Sequence, residues 1–255
     1  IVISRPHNME PFARIREQNP EWFAHATIVY DAEALFSLRT IERAKVMGSP
    51  LSENAAQALI DDELALAKTA SRIVAVSQAE AQQYRRAGCS QVVVLGHALD
   101  LLQASRTQFA PRNGFLFVGA ITQDDCPNGD SMLWFLDHVW PLIQQRLGAA
   151  IELDIVGVCE SPMVRARQSA TVRLLGRVDD LAPFFEARRV FVVPTRFAAG
   201  VPHKAHEAAS RGLPMVSFSM QLTKIMPSPR FASMVLPTCR RVASASRSRS
   251  NCTTD

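Results

Sequence analysis

Short apolar runs separated by amphipathic stretches set the rhythm of this chain. Ile1-Val2-Ile3, Thr27-Ile28-Val29-Tyr30, Ile73-Val74-Ala75-Val76 and Val92-Val93-Val94-Leu95 are rich in β-branched residues and too short for helices, so each predicts a buried strand. Helical stretches lie between them, the longest over about residues 52–69, rich in Ala, Leu, Glu and Asp. Residues 96–113 break the rhythm, and Pro111 with Gly114 marks a connection between domains.

A second series begins at Gly114. Phe115-Leu116-Phe117-Val118 predicts a strand ending at Gly119, and a helix follows from about Asp130, with Leu133, Leu136, Trp140 and Ile143 on one face. Residues 151–156 and 172–175 predict strands ending at Gly157 and Gly176, and residues 181–188 a helix. Val190-Phe191-Val192-Val193 is a strand stopped by Pro194. Pro202 opens a helix that Gly212 closes, and residues 214–218 give a last strand. Buried strands alternating with helices imply parallel sheets covered on both faces. Two such series predict an α/β protein of two Rossmann-like domains with a cleft between them, over residues 1–110 and 111–220. The first domain is expected to be incomplete, because Ile1 already belongs to an apolar run. After about Met220 the pattern fails, and residues 221–255 are expected to be either a disordered basic tail or the product of a frameshift or truncated gene.

Composition narrows the function classes. With 255 residues, 47% of them apolar, the chain can bury a large core. No apolar run approaches the ~20 residues of a membrane span, and no signal-peptide pattern is visible. The net charge of +4 is misleading: residues 221–255 carry +5, which leaves residues 1–220 at −1. The body therefore makes no case for a nucleic-acid partner, whose mark would be a basic stripe on the fold. Five scattered cysteines with no CxxC support neither a zinc site nor a disulfide framework, so reduced thiols in the cytoplasm are the expectation.

In open parallel sheets ligands bind beyond the carboxyl ends of the strands. Gly119, Gly157 and Gly176 stand there, but no GxGxxG and no GxxxxGK[ST] is present. The informative segment runs over residues 194–214: a strand, a small-residue loop, then a helix whose free N–H groups and dipole suit an anion. Lys204 sits in the first turn, where a cation opposes the dipole, and a bound phosphate would explain it. Glu207 shares its face, so a plain Lys–Glu surface pair is the competing explanation. His203 and His206 flank Lys204 without a third ligand nearby, which argues against a metal. Asp31 and Glu33 end a strand on the cleft side, where helix capping or a base role would serve. Trp140 is expected in the core and Trp134 partly exposed.

This segment resembles the donor-site motif of GT-B glycosyltransferases of the group 1 (family 4) type, with a Gly-bearing loop, Lys204, Glu207-Ala208 and Gly212-Leu213-Pro214. Phe117-Val118-Gly119 with Pro127-Asn128 and Asp130 resembles the opening of that family's C-terminal domain. Ile155-Val156-Gly157 resembles its "IVG" strand, and Gly176-Arg177-Val178 before Asp180-Leu181 its base-facing turn. Tyr30-Asp31-Ala32-Glu33, and Val76-Ser77 before Glu80, fit the later part of the N-terminal domain.

The resemblance implies transfer of a sugar from a nucleotide-sugar donor, with retention, without a bound metal and with no cofactor beyond that co-substrate. Glu207 would hold the donor ribose hydroxyls, while Lys204 and Arg196 would neutralise the departing diphosphate. Gly119, His206 and the turn at Gly176, Arg177 and Val178 would contact the donor, and the loop at Gly200 would cover the sugar. The acceptor would be a glycan, a lipid or a small molecule, with peripheral membrane association left open. The sequence departs from the pattern at three positions, and neither the family's Gly-rich acceptor loop nor its C-terminal crossing helix is recognisable. The EX7E motif would put a carboxylate at Ala199, the position after Gly119 is Ala120 rather than basic, and His97 stands where "NG" usually ends the first domain. A non-catalytic nucleotide-binding or assembly module is the alternative.

Overall fold

The computed structural model describes residues 1–96, 98 and 109–217. Among these the strands form two separate, wholly parallel sheets. The first holds β1 (Val2–Ser4), β2 (Val29–Asp31), β3 (Arg72–Ala75) and β4 (Val92–Val94) in that order. The second holds β5 (Phe115–Val118), β6 (Leu153–Val156), β7 (Val172–Gly176), β8 (Val190–Val193) and β9 (Met215–Ser217), in the order β7-β6-β5-β8-β9. The two α/β series expected from the apolar rhythm are thus two sheets, not one. His97 and the 221–255 tail lie outside the described residues.

In the first half the helices are α1 (Pro6–Gln18), α2 (Phe36–Val46), α3 (Glu53–Ala67) and α4 (Gln78–Arg86). In the second they are α5 (Pro127–Trp134), α6 (Trp140–Leu147), α7 (Pro162–Arg165), α8 (Ala182–Ala187) and α9 (His203–Ser210). Several starts follow ordinary capping chemistry. Ser52 Oγ accepts from the Ala55 N–H at 3.3 Å, and Ser77 Oγ from the Glu80 N–H at 3.2 Å.

The helix expected from about Asp130 begins three residues earlier, at Pro127. The Cys126 thiol accepts from the Gly129 N–H at 3.3 Å, and Pro127 takes the first helical position. A cysteine cap falls outside the Ser/Thr/Asp/Asn signature, so the start was hidden. A π turn over Phe135–Val139 joins α5 to α6. Leu136 and Trp140 are nonetheless buried, with Leu133 and Ile143 packed on the same cluster. Trp134 is half-buried, as expected.

Each face of the second sheet has its own core. Phe115, Phe117 and Ile155 pack with Met132, Phe135 and Trp140, while Leu116, Val118 and Phe191 pack with Phe185, Ala205 and Ala208. The alternation along β5 sends neighbouring side chains to opposite layers. Each large apolar side chain so buried contributes about 1.5–3 kcal/mol. One buried residue of β6 is charged: Asp154, 3% exposed, receives Arg188 Nε at 2.7 Å and Arg173 at 2.8 Å.

The start of α2 is held from outside itself. Its N-cap residue, Leu35, has no polar side chain to offer. Instead Glu63, buried on α3, accepts from the N–H groups of Phe36 at 2.9 Å and Ser37 at 2.7 Å. The carboxylate also meets the positive end of the helix dipole. Glu63→Ala is expected to lower stability by about 1.5–3 kcal/mol, the loss of hydrogen bonds to a charged group. A urea unfolding series checks this, and an unchanged midpoint would contradict it.

Candidate functional site

The strand order places β5 between β6 and β8, so the chain leaves β5 in one direction for β6 and β7 and in the other for β8 and β9. The crevice beyond the carboxyl ends of β5 and β8 is therefore the switch point, where such sheets take their ligands. The loops over 119–126 and 194–202 both open there.

The floor of the crevice is backbone. The Gly119 N–H donates to the Val156 carbonyl at 2.9 Å, and Asn128 Nδ2 donates to the Ala120 carbonyl at 2.8 Å. Gly157 has φ +131°, and a Cβ there would stand 2.3 Å from the Gly119 carbonyl oxygen. The two strand ends approach this closely because Gly157 carries no side chain. Beside them burial raises the Cys126 thiol, but the backbone groups of Gln123, Gly129 and Thr122 outweigh it and bring the thiol below its ordinary value. Gly176 ends β7, two strands from β5, with Arg177 exposed and Val178 packed against the Phe185 cluster. Asp180 Oδ1 accepts from the Ala182 N–H at 2.8 Å and so starts α8.

The parallel connection out of β8 puts the N-terminus of α9 on this same side of the sheet. Pro202 stands just before the helix rather than in its first turn, and no side chain caps it. The intrahelical ladder begins with the N–H groups of Ala205 and His206 on the Pro202 carbonyl. Ala205 and Ala208 face the core, which leaves Lys204 and Glu207 off that face. Lys204 is exposed and His206 half-buried. The competing surface pair does not form: among the described residues Lys204 makes no ion pair, and Glu207, 19% exposed, meets Arg211 at 3.6 Å. A cation thus stands in a first helical turn without a carboxylate to account for it.

Arg196 is held on several sides. Its guanidinium donates to Asp130 Oδ1 at 3.1 Å and to the Val46 carbonyl of α2 at 3.4 Å, and stands 5.8 Å from the centre of the Trp134 ring. Its backbone N–H donates to Ser131 Oγ at 3.1 Å. Burial pushes the Asp130 carboxyl above its ordinary range, against the opposing pull of Arg196 and Arg43. Farther along the loop, Gly200 has φ +76°, and a Cβ there would lie 3.0 Å from the Glu33 carbonyl oxygen and 3.2 Å from Ala34 Cβ. Glu33 itself pairs with Arg5 at 2.7 Å, and Asp31 accepts from Ser4 Oγ at 3.1 Å. Arg43 on α2 reaches Asp125 at 2.6 Å. The loop over 194–202 is therefore bounded by both halves of the chain.

The structure brings Arg196, Gly200, Lys204, His206 and Glu207 onto one loop and helix beside Gly119, with Gly176, Arg177 and Val178 at the end of β7. Sequence reasoning gave Asp130 no partner and Ser131 no role. The one available signal was Asp130 within the Pro127-Asn128 motif. Among the described residues no three His, Cys, Asp or Glu side chains gather as a metal cage, and no helix is long and apolar enough to cross a membrane.

Residues 112–235 match the family described as glycosyl transferases group 1. The fold agrees over most of its length with glycosyltransferases of the GT-B type. HepE of Anabaena, in complex with UDP and glucose, is 16% identical at a TM-score of 0.53, over 85% of this chain and 58% of that one. A UDP-forming α,α-trehalose-phosphate synthase from Burkholderia vietnamiensis is 11% identical at 0.54, over 85% and 56%. A TarM variant from S. aureus, in complex with fondaparinux, α-GlcNAc-glycerol and UDP, is 11% identical at 0.52, over 79% and 39%. This chain thus spans a little under three fifths of the HepE chain. No curated protein sequence matches it.

Proposed function

We propose that the protein moves a sugar from a nucleotide-sugar donor, bound at the switch crevice of the second half, to an acceptor presented from the first. The observation that carries this reading is Lys204, a cation in the first turn of an uncapped helix at the carboxyl end of a parallel sheet. A diphosphate there would meet both the helix N–H groups and the ammonium. Glu207, one turn on, would accept from the donor ribose hydroxyls. The backbone around Arg177 and Val178 would face the base, and the loop at Gly200 would cover the sugar, with Gly119 and His206 lining the crevice. In the reaction the sugar–phosphate bond breaks, an acceptor hydroxyl oxygen takes the sugar and loses its proton, and the negative charge grows on the departing diphosphate. Lys204 stabilises that growing charge, and so acts more on the transition state than on the bound donor.

The HepE structures and the TarM variant carry UDP, UDP with glucose, or UDP-glucose, which makes UDP-sugars the first donors to try. Retention of the anomeric configuration and turnover without a bound metal follow from the resemblance alone and belong to this proposal. So do the cytoplasmic setting and a glycan as the first acceptor class. The test is release of nucleoside diphosphate from UDP- and GDP-sugars, with and without oligosaccharide acceptors. Release from one donor class supports the transferase. Binding without any release supports the alternative of a nucleotide-binding module, to which Ala199 in place of a second carboxylate would then point.

A further inference from the structure

The loop that leads into Lys204 and Glu207 is anchored at its base by two consecutive residues of α5. Ser131 Oγ accepts from the Arg196 N–H at 3.1 Å, and Asp130 Oδ1 accepts from the Arg196 guanidinium at 3.1 Å. The Asp130 side chain is only 9% exposed, and its other oxygen, Oδ2, is buried without a hydrogen-bond partner. A carboxylate so placed costs free energy unless a cation answers it, and Arg196, 26% exposed, is the cation in contact. The same guanidinium spans to the Val46 carbonyl, on the last residue of α2. That carbonyl lies at the negative end of the α2 dipole, which favours a cation. Asp130, Arg196 and α2 thus form a strut from α5 to the first half, and the strut passes through the base of the loop over 194–202.

We propose that Asp130 is a positioning residue: it orients Arg196 so that the guanidinium ties the loop between β8 and α9 to the C-terminal turn of α2, coupling the shape of that loop to the approach of the two halves. The inference rests on the donor site proposed above and gives Arg196 a different task from the diphosphate contact expected of it from sequence. The geometry favours this task because a planar fork with fixed donor directions can serve a carboxylate and a carbonyl at once, whereas a lysine ammonium has no such fork. Phe197 is buried and holds the middle of the loop, while the small residues Ala198, Ala199 and Gly200 add little bulk, so the tethered base at Arg196 is the loop's polar anchor. A shift of about 1 Å in groups that hold a substrate can cost roughly a hundredfold in rate.

The test reads the loop directly, before any activity. Hydrogen exchange on the full unliganded chain should show residues 197–201 exchanging at least about tenfold faster in Asp130→Asn and Arg196→Ala, the change expected on losing a charge-assisted hydrogen bond. Arg196→Lys should resemble Arg196→Ala, and the amides of β5 and β6 should exchange as in the wild type. Unchanged exchange over 197–201, or rescue by lysine, would overturn the inference. With a turned-over donor, the same variants should lose kcat about ten- to a hundredfold with KM for donor moved far less. The double variant should be no slower than the worse single, because both act through one strut. Effects that multiply instead would overturn the coupling. If the wild type releases no nucleotide while the exchange result holds, the functional reading fails and the strut stands.

Discussion

Replacing Arg188 with alanine is expected to destabilise the second half by about 3–5 kcal/mol, the usual consequence of stripping the partner from a buried charge. Arg188, 9% exposed, donates from Nε to Asp154 Oδ2 at 2.7 Å and reaches Glu152 through Nη1 at 2.9 Å. Asp154 sits within β6, where its neighbours Leu153, Ile155 and Val156 are all buried. Arg173 would remain on Asp154, but it is 40% exposed and reaches the carboxylate from outside. The effect should therefore fall toward the lower end of that range. The paired change Asp154→Leu with Arg188→Met should recover most of the loss, because an apolar pair of similar volume needs no ion pairing. Urea unfolding followed by tryptophan fluorescence checks both, since Trp134 and Trp140 lie in this half. If the double variant were as unstable as the sum of its parts, the network would owe its value to packing and not to charge pairing.

Glu207→Ala is the second large effect, and it should fall on binding rather than on stability. The side chain lies off the core face of α9, and its protein partner is Arg211 at 3.6 Å, a contact too long to hold much. Two ribose hydroxyls left without a charged acceptor would cost about 1.5–3 kcal/mol. That is roughly ten- to a hundredfold in donor affinity. Lys204→Ala should differ in kind, lowering turnover more than affinity, because in the proposed reaction its charge counts most as the diphosphate departs. Thermal unfolding of both variants should match the wild type, since Lys204 is exposed and neither residue packs in the core. A fall in unfolding midpoint that tracked the loss of binding would make the two residues structural.

These effects bear on how much was legible in the residues. The two strand–helix series were legible because a buried parallel strand has no choice but to be apolar along its length, as in Phe115-Leu116-Phe117-Val118. Asp154 carried no such signal: one aspartate inside an apolar run says nothing of two arginines that arrive from β7 and from the end of α8. The early start of α5 was hidden for a related reason, since a thiol cap leaves no familiar mark before a proline. At the candidate site, Lys204, Glu207 and the glycine-bearing turns were legible because their spacing in one helix and one loop is local. The Arg196–Asp130 pair was not, since its partners are 66 residues apart and meet only when β5 and β8 are neighbours. The approach of Gly200 to Glu33 was hidden for the same cause, being a contact between halves.

On the proposed function, the switch crevice before α9 takes a nucleoside diphosphate. Calorimetric titration of the full chain with UDP and with GDP tests it most directly. Saturable binding of at least one of them is expected, weakened about ten- to a hundredfold by Glu207→Ala. Absence of binding for both nucleotides, or binding that Glu207→Ala leaves untouched, would contradict it.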